Sequence, residues 1–216
     1  MRGARERRTT VKKKEHLSSM SEIMERRRAG SRTVRLLPLD SSDLLELVGS
    51  WLARKGNYQW LDFGNGRQVA TPALLKIMVQ RDAHFLRAYT DGDGTPIGVV
   101  GLNSVERTFK TATFWGSSGE KSFRTRGYGS LAASKFLTLG FRDLGLHAID
   151  TWVVDGNPSL KIIERLGFRF IGRQRQCHYI DGRAYDRLRF DLLAHEHREL
   201  DETRWLRIED ARHRVA

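Results

Sequence analysis

Arg124-Thr125-Arg126-Gly127-Tyr128-Gly129 stands between a predicted strand that begins at Thr111 and a predicted helix over residues 129–143. Glycine at such a turn allows positive φ angles and lets a ligand approach the backbone closely. The first amide groups of the following helix have no partner within the helix, and with the helix dipole they form a site suited to phosphate. The stretch therefore predicts an anion-binding turn, to which its two arginines add positive charge.

Two common phosphate-binding motifs fit this turn poorly. A Walker-type loop requires Gly-Lys followed by Ser or Thr, and the sequence contains no such run. A dinucleotide fingerprint requires a third glycine three residues after Gly129, where Ala132 stands here. That fingerprint also follows the first strand of its domain. Several predicted strands precede the turn, which disfavours the dinucleotide fingerprint, and the missing Gly-Lys run disfavours the Walker-type loop.

The elements predicted on both sides of the turn alternate in the order β-α-α-β-β-β-α-β-α-β-β. Asp91-Gly92-Asp93-Gly94 and Asp181-Gly182 each predict a tight hairpin between two strands. Residues 147–154 are rich in β-branched side chains and predict a further strand. The pattern predicts one α/β domain over residues 33–193 with a mixed central sheet.

Composition and cysteine content restrict the class of protein. The 216 residues are 39% hydrophobic and 30% charged, as in soluble globular domains. No apolar run approaches the roughly 18 residues that a membrane span needs. Cys177 is the only cysteine, and the basic start of the chain lacks the apolar core of a secretory signal. We therefore expect a cytoplasmic protein with no membrane segment and no cysteine metal site.

The positive charge is concentrated in one segment. The formal net charge is +12, and residues 1–32 hold 11 basic and 4 acidic residues against 27 and 22 in the remaining chain. Residues 1–32 predict a disordered arm. It is a polyanion-binding tail, a solvated extension, or the result of a start codon assigned too early, with Met20 or Met24 as the true start. Since the domain itself has little excess charge, nucleic acid is not its expected partner. Residues 194–216 predict a charged tail that forms a short helix or frays.

Two motifs of the sequence resemble those of the GCN5-related N-acetyltransferase (GNAT) family, in the family's order. The first is Arg or Gln, two residues, Gly, one residue, then Gly or Ala, and Arg124, Gly127 and Gly129 match it. The second is an Asn near a short helix that ends in Gly-Phe, matched by Asn157 and Gly167-Phe168. The closing hairpin, Asp181-Gly182-Arg183, resembles the RimJ/RimL-like branch that acetylates ribosomal-protein N-termini. The resemblance covers residues 33–193 and implies a GNAT-like fold, with two splayed parallel strands in the mixed sheet and flanking helices.

The resemblance implies acetyl-CoA as the co-substrate, bound where the strands that begin near Thr111 and His147 splay apart. Its pyrophosphate would lie on the amides of the glycine turn. Its thioester carbonyl would accept a hydrogen bond from an amide that the splaying leaves free, and neither a covalent enzyme intermediate nor a metal is expected. The implied cofactor-binding residues are Gly116, Ser117, Ser118, Gly119, Arg124, Thr125, Arg126, Gly127, Tyr128, Gly129, Ser130 and Asn157.

The residues for proton transfer depart from the resembled pattern. Many members place a Tyr acid four residues before Gly-Phe, where Ile163 stands here. Ser159 is the nearest hydroxyl, and it is either the acid or only the N-cap of the short helix, a place that Asn157 can also take. Glu106 and Glu120 are the candidate bases, or else ordinary surface carboxylates. Alternative bases are His84, His147 and His178.

Residues 55–68 predict an irregular loop with three glycines and three aromatics, and in the resembled fold this region covers the acceptor. The candidates for substrate contact are Tyr58, Trp60, Asp62 and Phe63. Asp62 would favour a cationic amine. The other interpretation is a hydrophobic plug that ties the first helices to the sheet.

The leading hypothesis is an N-acetyltransferase that moves the acetyl group of acetyl-CoA to a primary amine by direct attack. One alternative is a catalytically silent CoA-binding sensor or scaffold, which the missing Tyr motivates. Another is a nucleic-acid-associated protein that uses the basic arm. The sequence leaves open the acceptor, which could be a peptide N-terminus, an amino sugar or an antibiotic amine. It also leaves open the length of the acyl chain and the oligomeric state, a homodimer included.

Overall fold

Seven strands and five helices make up the described part of the computed structural model, residues 33–62, 70–119 and 127–202. The strands are β1 Leu36–Pro38, β2 Phe85–Thr90, β3 Pro96–Glu106, β4 Thr111–Ser118, β5 Ala148–Val154, β6 Arg169–Ile180 and β7 Arg183–Leu193. The helices are α1 Ser42–Leu52, α2 Lys55–Tyr58, α3 Pro72–Val79, α4 Tyr128–Arg142 and α5 Leu160–Arg165. All seven strands share one sheet in the order β1-β2-β3-β4-β5-β7-β6, which confirms the α/β class with a mixed central sheet.

The sheet consists of two antiparallel halves that one parallel pair joins. β1 to β4 are successive antiparallel neighbours, and β7 pairs antiparallel with both β5 and β6. β4 and β5 run parallel and pair at only three positions, Thr111↔Ala148, Ala112↔Ile149 and Thr113↔Asp150. Beyond the last of these positions both strands continue but no longer pair with each other, so a gap opens between their carboxyl ends.

Helices cover both faces of the sheet and fix the two halves around this gap. On one face α4 and α5 pack against the strands, with Phe136, Leu137 and Ile149 fully buried. On the other face α1 and α3 cover β2 and β3, with Trp51 and Leu75 at the centre of a second core. Each apolar face follows the helical spacing of the sequence, so burial explains why these segments are helical.

The last described residues tie both ends of the domain to α4. The carboxylate of Glu202 accepts the Val34 N–H at 2.7 Å and the Lys135 ammonium at 2.9 Å. The hydroxyl of Ser134 accepts the Leu200 N–H at 2.8 Å. Residues 194–202 therefore pack on the domain, whereas the predicted arm (residues 1–32) and the end of the predicted tail (residues 203–216) lie outside the described residues.

One local feature differs from the sequence predictions, and a second is an irregularity in a strand. Residues 55–58 form a single helical turn, α2, where an irregular loop is expected, because the Tyr58 N–H bonds the Arg54 carbonyl at 3.0 Å. β6 runs past residue 176 because a bulge accommodates the extra residues, and Asp186 of β7 accepts the Gln176 N–H there at 2.8 Å. That backbone donor, followed by the guanidinium of Arg173, holds the pKa of the Asp186 carboxyl below its usual value.

Within the described ranges no helix has the length and apolarity of a membrane span. The same residues contain no group of three or more side chains that could ligate a metal together.

Candidate functional site

The gap between β4 and β5 receives backbone groups from β4. The Gly119 N–H donates to the Ile97 carbonyl of β3 at 2.8 Å. Because the backbone groups of alternate residues point to the same side of a strand, the Ser117 N–H also faces β3, whereas the Gly116 N–H faces β5. The Phe114 carbonyl, which faces β5 as well, accepts a hydrogen bond from the Thr151 hydroxyl at 2.9 Å. Of the amides predicted over residues 116–119, those of Gly116 and Ser118 therefore face the gap beyond the last strand pairing, and Gly116 is the nearer of the two to that pairing.

The glycine turn places the N-terminus of α4 at the edge where β4 and β5 end. Gly127 is the N-cap of α4 and has a left-handed backbone, with φ 79°, which L side chains rarely adopt. The first amides bonded to its carbonyl are those of Ser130 and Leu131, at 3.1 and 3.2 Å. A Cβ on Gly129 would lie 3.6 Å from the Tyr89 hydroxyl and 3.9 Å from Ile162, which are ordinary contacts. This agrees with a motif that allows Gly or Ala at the second position.

α5 lies beside the turn and brings the second motif to the same edge. The Asn157 side-chain oxygen accepts the Ser159 N–H at 2.9 Å, whereas the Ser159 side chain makes no helix-cap bond. Asn157 therefore takes the capping role that the sequence left open between these two residues. Ile163 is 4% exposed and belongs to the core, so the position of the usual Tyr offers no hydroxyl to the gap. We call this edge, with Gly116, Gly127 and Ser159, the turn side of the gap.

One predicted site residue, Glu106, lies away from this arrangement. Glu106 ends β3 opposite Thr111, and its carboxylate accepts the N–H of Thr108 at 2.9 Å. At about 3.4 Å per residue, five residues of β4 separate that level from Gly116, a distance of roughly 17 Å. The structure therefore does not bring Glu106 to the gap. Further predicted residues lie outside the described ranges, namely Phe63, Glu120, Arg124, Thr125 and Arg126.

Residues 54–62 run across the face of the sheet that α1 and α3 cover, opposite α4, and they contact both sides of the gap. We call this segment the strap. Its first contacts are with the end of β4. The buried side chain of Asn57 donates to the Trp51 carbonyl at 2.8 Å and to the Ser118 carbonyl at 3.3 Å. The Arg54 guanidinium donates to the Gly119 carbonyl at 2.7 Å. These bonds hold the end of β4 against α1 and fix the direction of the strand beside Gly116.

The strap also contacts the β6–β7 hairpin. The carboxylate of Asp62 accepts the Arg187 guanidinium at 2.7 Å, and Lys55 pairs with Asp181 in the hairpin turn at 2.6 Å. The Gln59 carbonyl lies 2.6 Å from His178 Nε2, and since a carbonyl only accepts, that nitrogen carries the proton. The strap thus bridges the two halves of the sheet at the level where their strands do not pair.

Arg187 is the centre of the contacts beneath the strap. Its guanidinium carbon lies 3.9 Å above the Trp152 ring, and its Nη2 lies 3.0 Å from His178 Nδ1. Both ring nitrogens of His178 are therefore engaged, which leaves neither available as a base. The charge of Asp62 is already matched by Arg187, so the structure does not support the expectation that Asp62 attracts a cationic amine. Tyr58 and Trp60 lie in the strap and are partly exposed, as candidates for ligand contact should be.

Two indole rings flank the gap on the face that carries the strap. Trp115 of β4 packs against the core beneath α1 and donates its Nε1–H to Asn103 at 3.1 Å. Gly101 is required beneath it, because a Cβ there would lie 2.5 Å from the Trp115 ring. Trp152 of β5 occupies the other side, below Arg187. We call this face, from the strap to the two indoles, the strap side of the gap.

Sequence reasoning missed Arg54, Asn57, Trp152 and Arg187 as residues of the site. Asn57 carried a weak signal, since it is a polar residue inside an aromatic segment and becomes buried. Arg187 carried none, because its partners come from three separate elements.

Comparisons with known proteins assign most of the chain to one family. The family described as "Acetyltransferase (GNAT) domain" matches residues 33–169. The chain is 27% identical over 173 residues to "Putative ribosomal N-acetyltransferase YdaF" of Bacillus subtilis (strain 168), which covers 76% of this chain and 92% of that protein. It is 30% identical over 102 residues to "Uncharacterized N-acetyltransferase p20" of Bacillus licheniformis, or 47% of this chain and 57% of that one.

Among solved structures, the fold is similar to that of spermidine N-acetyltransferase from Vibrio cholerae in complex with CoA and spermine. The TM-score is 0.66 at 20% identity, over 76% of this chain and 96% of that chain. A dodecameric structure of the same Vibrio cholerae enzyme gives a TM-score of 0.63 at 20% identity, over 76% of this chain and 94% of that one. At this identity the likeness concerns the fold.

Proposed function

The chain belongs to the GNAT acetyltransferase family, which confirms the resemblance of its two motifs, and on that premise we propose that it transfers the acetyl group of acetyl-CoA to a primary amine by direct attack. The observation that carries the proposal is the gap between β4 and β5, with the Gly116 amide on one side and the α4 N-terminus at its edge. Transfer of an acetyl group to an amine is the activity of the family. The co-substrate, the route of attack and the roles of the residues are our proposals.

The residues of the turn side fit acetyl-CoA. The left-handed backbone of Gly127 and the absence of a side chain at Gly129 let a pyrophosphate approach the first amides of α4, whose helix dipole favours negative charge. The gap admits an extended chain between two strands that no longer pair with each other. When bound there, acetyl-CoA supplies an activated thioester carbon. We propose that Arg124 and Arg126 add positive charge to the pyrophosphate site and that the Thr125 amide also binds there.

The Gly116 N–H is the group we propose for the thioester carbonyl, whose oxygen gains negative charge as the amine attacks. A preorganised amide donor at that position stabilises the developing charge more than it stabilises the ground state. The amine would enter from the strap side, between Trp115 and Trp152, so that it meets the thioester from the face opposite α4. Holding the two reactants in this geometry lowers the barrier without a covalent intermediate. We propose that the Ser159 hydroxyl, which caps no helix, passes a proton to the departing thiolate.

Removal of the Gly116 N–H tests this proposal. Gly116→Pro deletes the amide hydrogen without breaking a bond to β3, because that hydrogen faces the gap. We expect kcat for thiol release to fall roughly 10²- to 10³-fold, the usual effect of losing one such donor. Acetyl-CoA affinity, measured by calorimetry, should change much less.

Gly116→Ala is the matched control, because it keeps the N–H and its Cβ meets Val100 at an ordinary 3.5 Å. It should retain most of the wild-type rate. An equal loss in both variants would mean that the space at residue 116, and not its amide, is what matters. Acetyl-CoA binding by the wild-type protein without thiol release across a panel of amines would overturn the enzymatic proposal in favour of a CoA-binding sensor.

We also propose a cytoplasmic location. Cys177, the one cysteine of the sequence, lies beside the β6 bulge with its thiol bonded to the Gln174 carbonyl at 3.3 Å. It is far in sequence from every residue assigned to the turn side. Activity should therefore be the same with and without a reducing agent.

A further inference from the structure

The proposed reaction requires a group that takes a proton from the acceptor amine, and the two strands that flank the gap contain one candidate. β4 (TATFWGSS) and β5 (AIDTWVV) include Asp150 and no other residue with an acidic or basic side chain. We propose that Asp150 is the positioning residue that receives the amine proton through a bridging water. This inference rests on the proposed function, and no motif of the sequence points to it.

Asp150 lies at the level where the gap begins. Thr113↔Asp150 is the last pair of the parallel ladder, and the next residues on the same face are Trp115 and Trp152, which flank the opening. Ile149 and Val153 belong to the core beneath α4, so Asp150 and Trp152 face the strap side. Residues two apart on one face of a strand are separated by roughly 7 Å. That distance suits one water molecule between the carboxylate and an amine held beside Trp152.

Two neighbours hold the Asp150 carboxylate in one orientation. Oδ1 accepts the Thr113 hydroxyl at 2.7 Å, and Oδ2 accepts the Arg189 guanidinium at 2.9 Å. Each carboxylate oxygen can accept more than one hydrogen bond, so both keep capacity for water. The Asp150 side chain is 31% exposed, which lets solvent reach it.

The charges around Asp150 come from several elements. On β7, Asp191 stands directly opposite Asp150 in the ladder, and Arg189 offsets this pair of like charges. On the strap side, Asp62 of the strap pairs with Arg187 of β7. Beyond Trp115, His84 Nδ1 lies 3.0 Å from the Asn103 side chain on β3. The Arg189 guanidinium is therefore a cation in direct contact with the Asp150 carboxylate.

The protons and bonds of the reaction balance with this assignment. A protonated primary amine gives one proton through the water to Asp150, which returns it to solvent. The nitrogen lone pair forms the N–C bond with the thioester carbon while the C–S bond breaks. The second proton leaves the nitrogen as the amide forms, and the thiolate sulfur takes up one proton, by way of Ser159 or solvent.

Asp150→Asn tests the inference, with Asp191→Asn as a matched control on the same face. The variant keeps an oxygen for Thr113 but cannot accept a proton. We expect its kcat at pH 7 to fall roughly 10²- to 10⁴-fold, the usual contribution of a proton acceptor. The loss should shrink as the pH rises above the pKa of the acceptor amine, because a neutral amine needs no such acceptor. Asp150→Glu should recover part of the rate, and Asp191→Asn should resemble wild type.

The control measurements separate the two proposals. Acetyl-CoA affinity and the thermal midpoint of Asp150→Asn should stay close to wild type. A loss of rate that is equal at every pH, or equal in Asp191→Asn, would overturn the role of Asp150 while wild-type turnover still supports the transferase. Absence of turnover in the wild-type protein with every amine would overturn the transferase, and the role of Asp150 with it.

Discussion

The turn side and the strap side of the gap are built from different chemical groups. The turn side depends on backbone: one left-handed glycine, the first amides of α4 and the Gly116 N–H. The strap side depends on side chains, above all Asn57 and the cluster of Arg187 with Asp62, His178 and Trp152. Backbone groups suit a ligand part that never varies, such as a cofactor phosphate and thioester. Side chains can change from one protein to the next, so we expect them to decide which amine enters.

Gly127→Glu should have the largest effect and break the turn side alone. It places an L side chain and a negative charge at a backbone with φ 79°, where a phosphate is proposed to lie. We expect calorimetry to detect no acetyl-CoA binding, while circular dichroism shows the fold intact. Gly145→Glu is the matched control, since Gly145 has φ 66° just beyond the other end of α4 and open space around a Cβ. If it abolishes binding as well, strain in the helix and not the turn is the cause.

Ser159→Ala should have the next largest effect. Because Asn157 caps α5, the loss of the Ser159 hydroxyl costs no cap bond and should leave the unfolding midpoint unchanged. An acid that protonates the thiolate should contribute roughly 10²- to 10⁴-fold to the chemical step, measured as kcat for thiol release. Ser50→Ala, at an exposed hydroxyl of α1, controls for a change of Ser as such. A wild-type rate in Ser159→Ala would assign the proton to solvent.

Asn57→Leu should weaken the strap side with a smaller effect. It removes the two hydrogen bonds that the Asn57 side chain donates to the Trp51 and Ser118 carbonyls, and each such bond contributes about 0.5–1.5 kcal/mol to stability. We expect urea unfolding to show this loss and the KM for the amine to rise more than the KM for acetyl-CoA. Gln59→Ala is the control, because Gln59 contacts His178 through its backbone carbonyl. Equal changes in the two KM values would contradict the division into two sides.

The smallest effect is expected at His197, which is remote from both sides. Its Nε2 lies 2.8 Å from the Thr138 hydroxyl, and burial lowers its pKa below the ordinary 6.5. Below pH 6.5 the unfolded chain therefore takes up a proton that the folded chain resists, so stability is present above that pH and falls as the pH decreases toward the folded value. His197→Gln should lose less stability than wild type between pH 7.5 and 5.5, as measured by urea midpoints. Its acetyl-CoA affinity should not change.

The part of the site that could be predicted from sequence is the part made of backbone. Gly127 carries its requirement in its own identity, because few other residues accept a left-handed backbone. Asp62 and Arg187 meet across 125 positions of sequence, so their pairing depends on the register of β7 and the path of the strap. Glu106 illustrates the same limit, since its distance from the gap follows from the β3–β4 register and not from its residue type. The order of elements was predictable because hairpin turns and apolar faces are local patterns.

The short β4–β5 junction has a consequence for how the protein assembles. In each half, short turns connect some of the antiparallel neighbours, namely β2 to β3, β3 to β4 and β6 to β7, so these pairs can close with little loss of chain entropy. The junction instead joins residues such as Thr113 and Asp150, 37 positions apart, and needs α4 in place between them. We expect this seam to form late in folding and to open early, so that hydrogen exchange would see the two halves as separate cooperative units. A molecule that fills the gap would then stabilise the β4–β5 junction, and its binding free energy would also slow hydrogen exchange in strands that it does not contact.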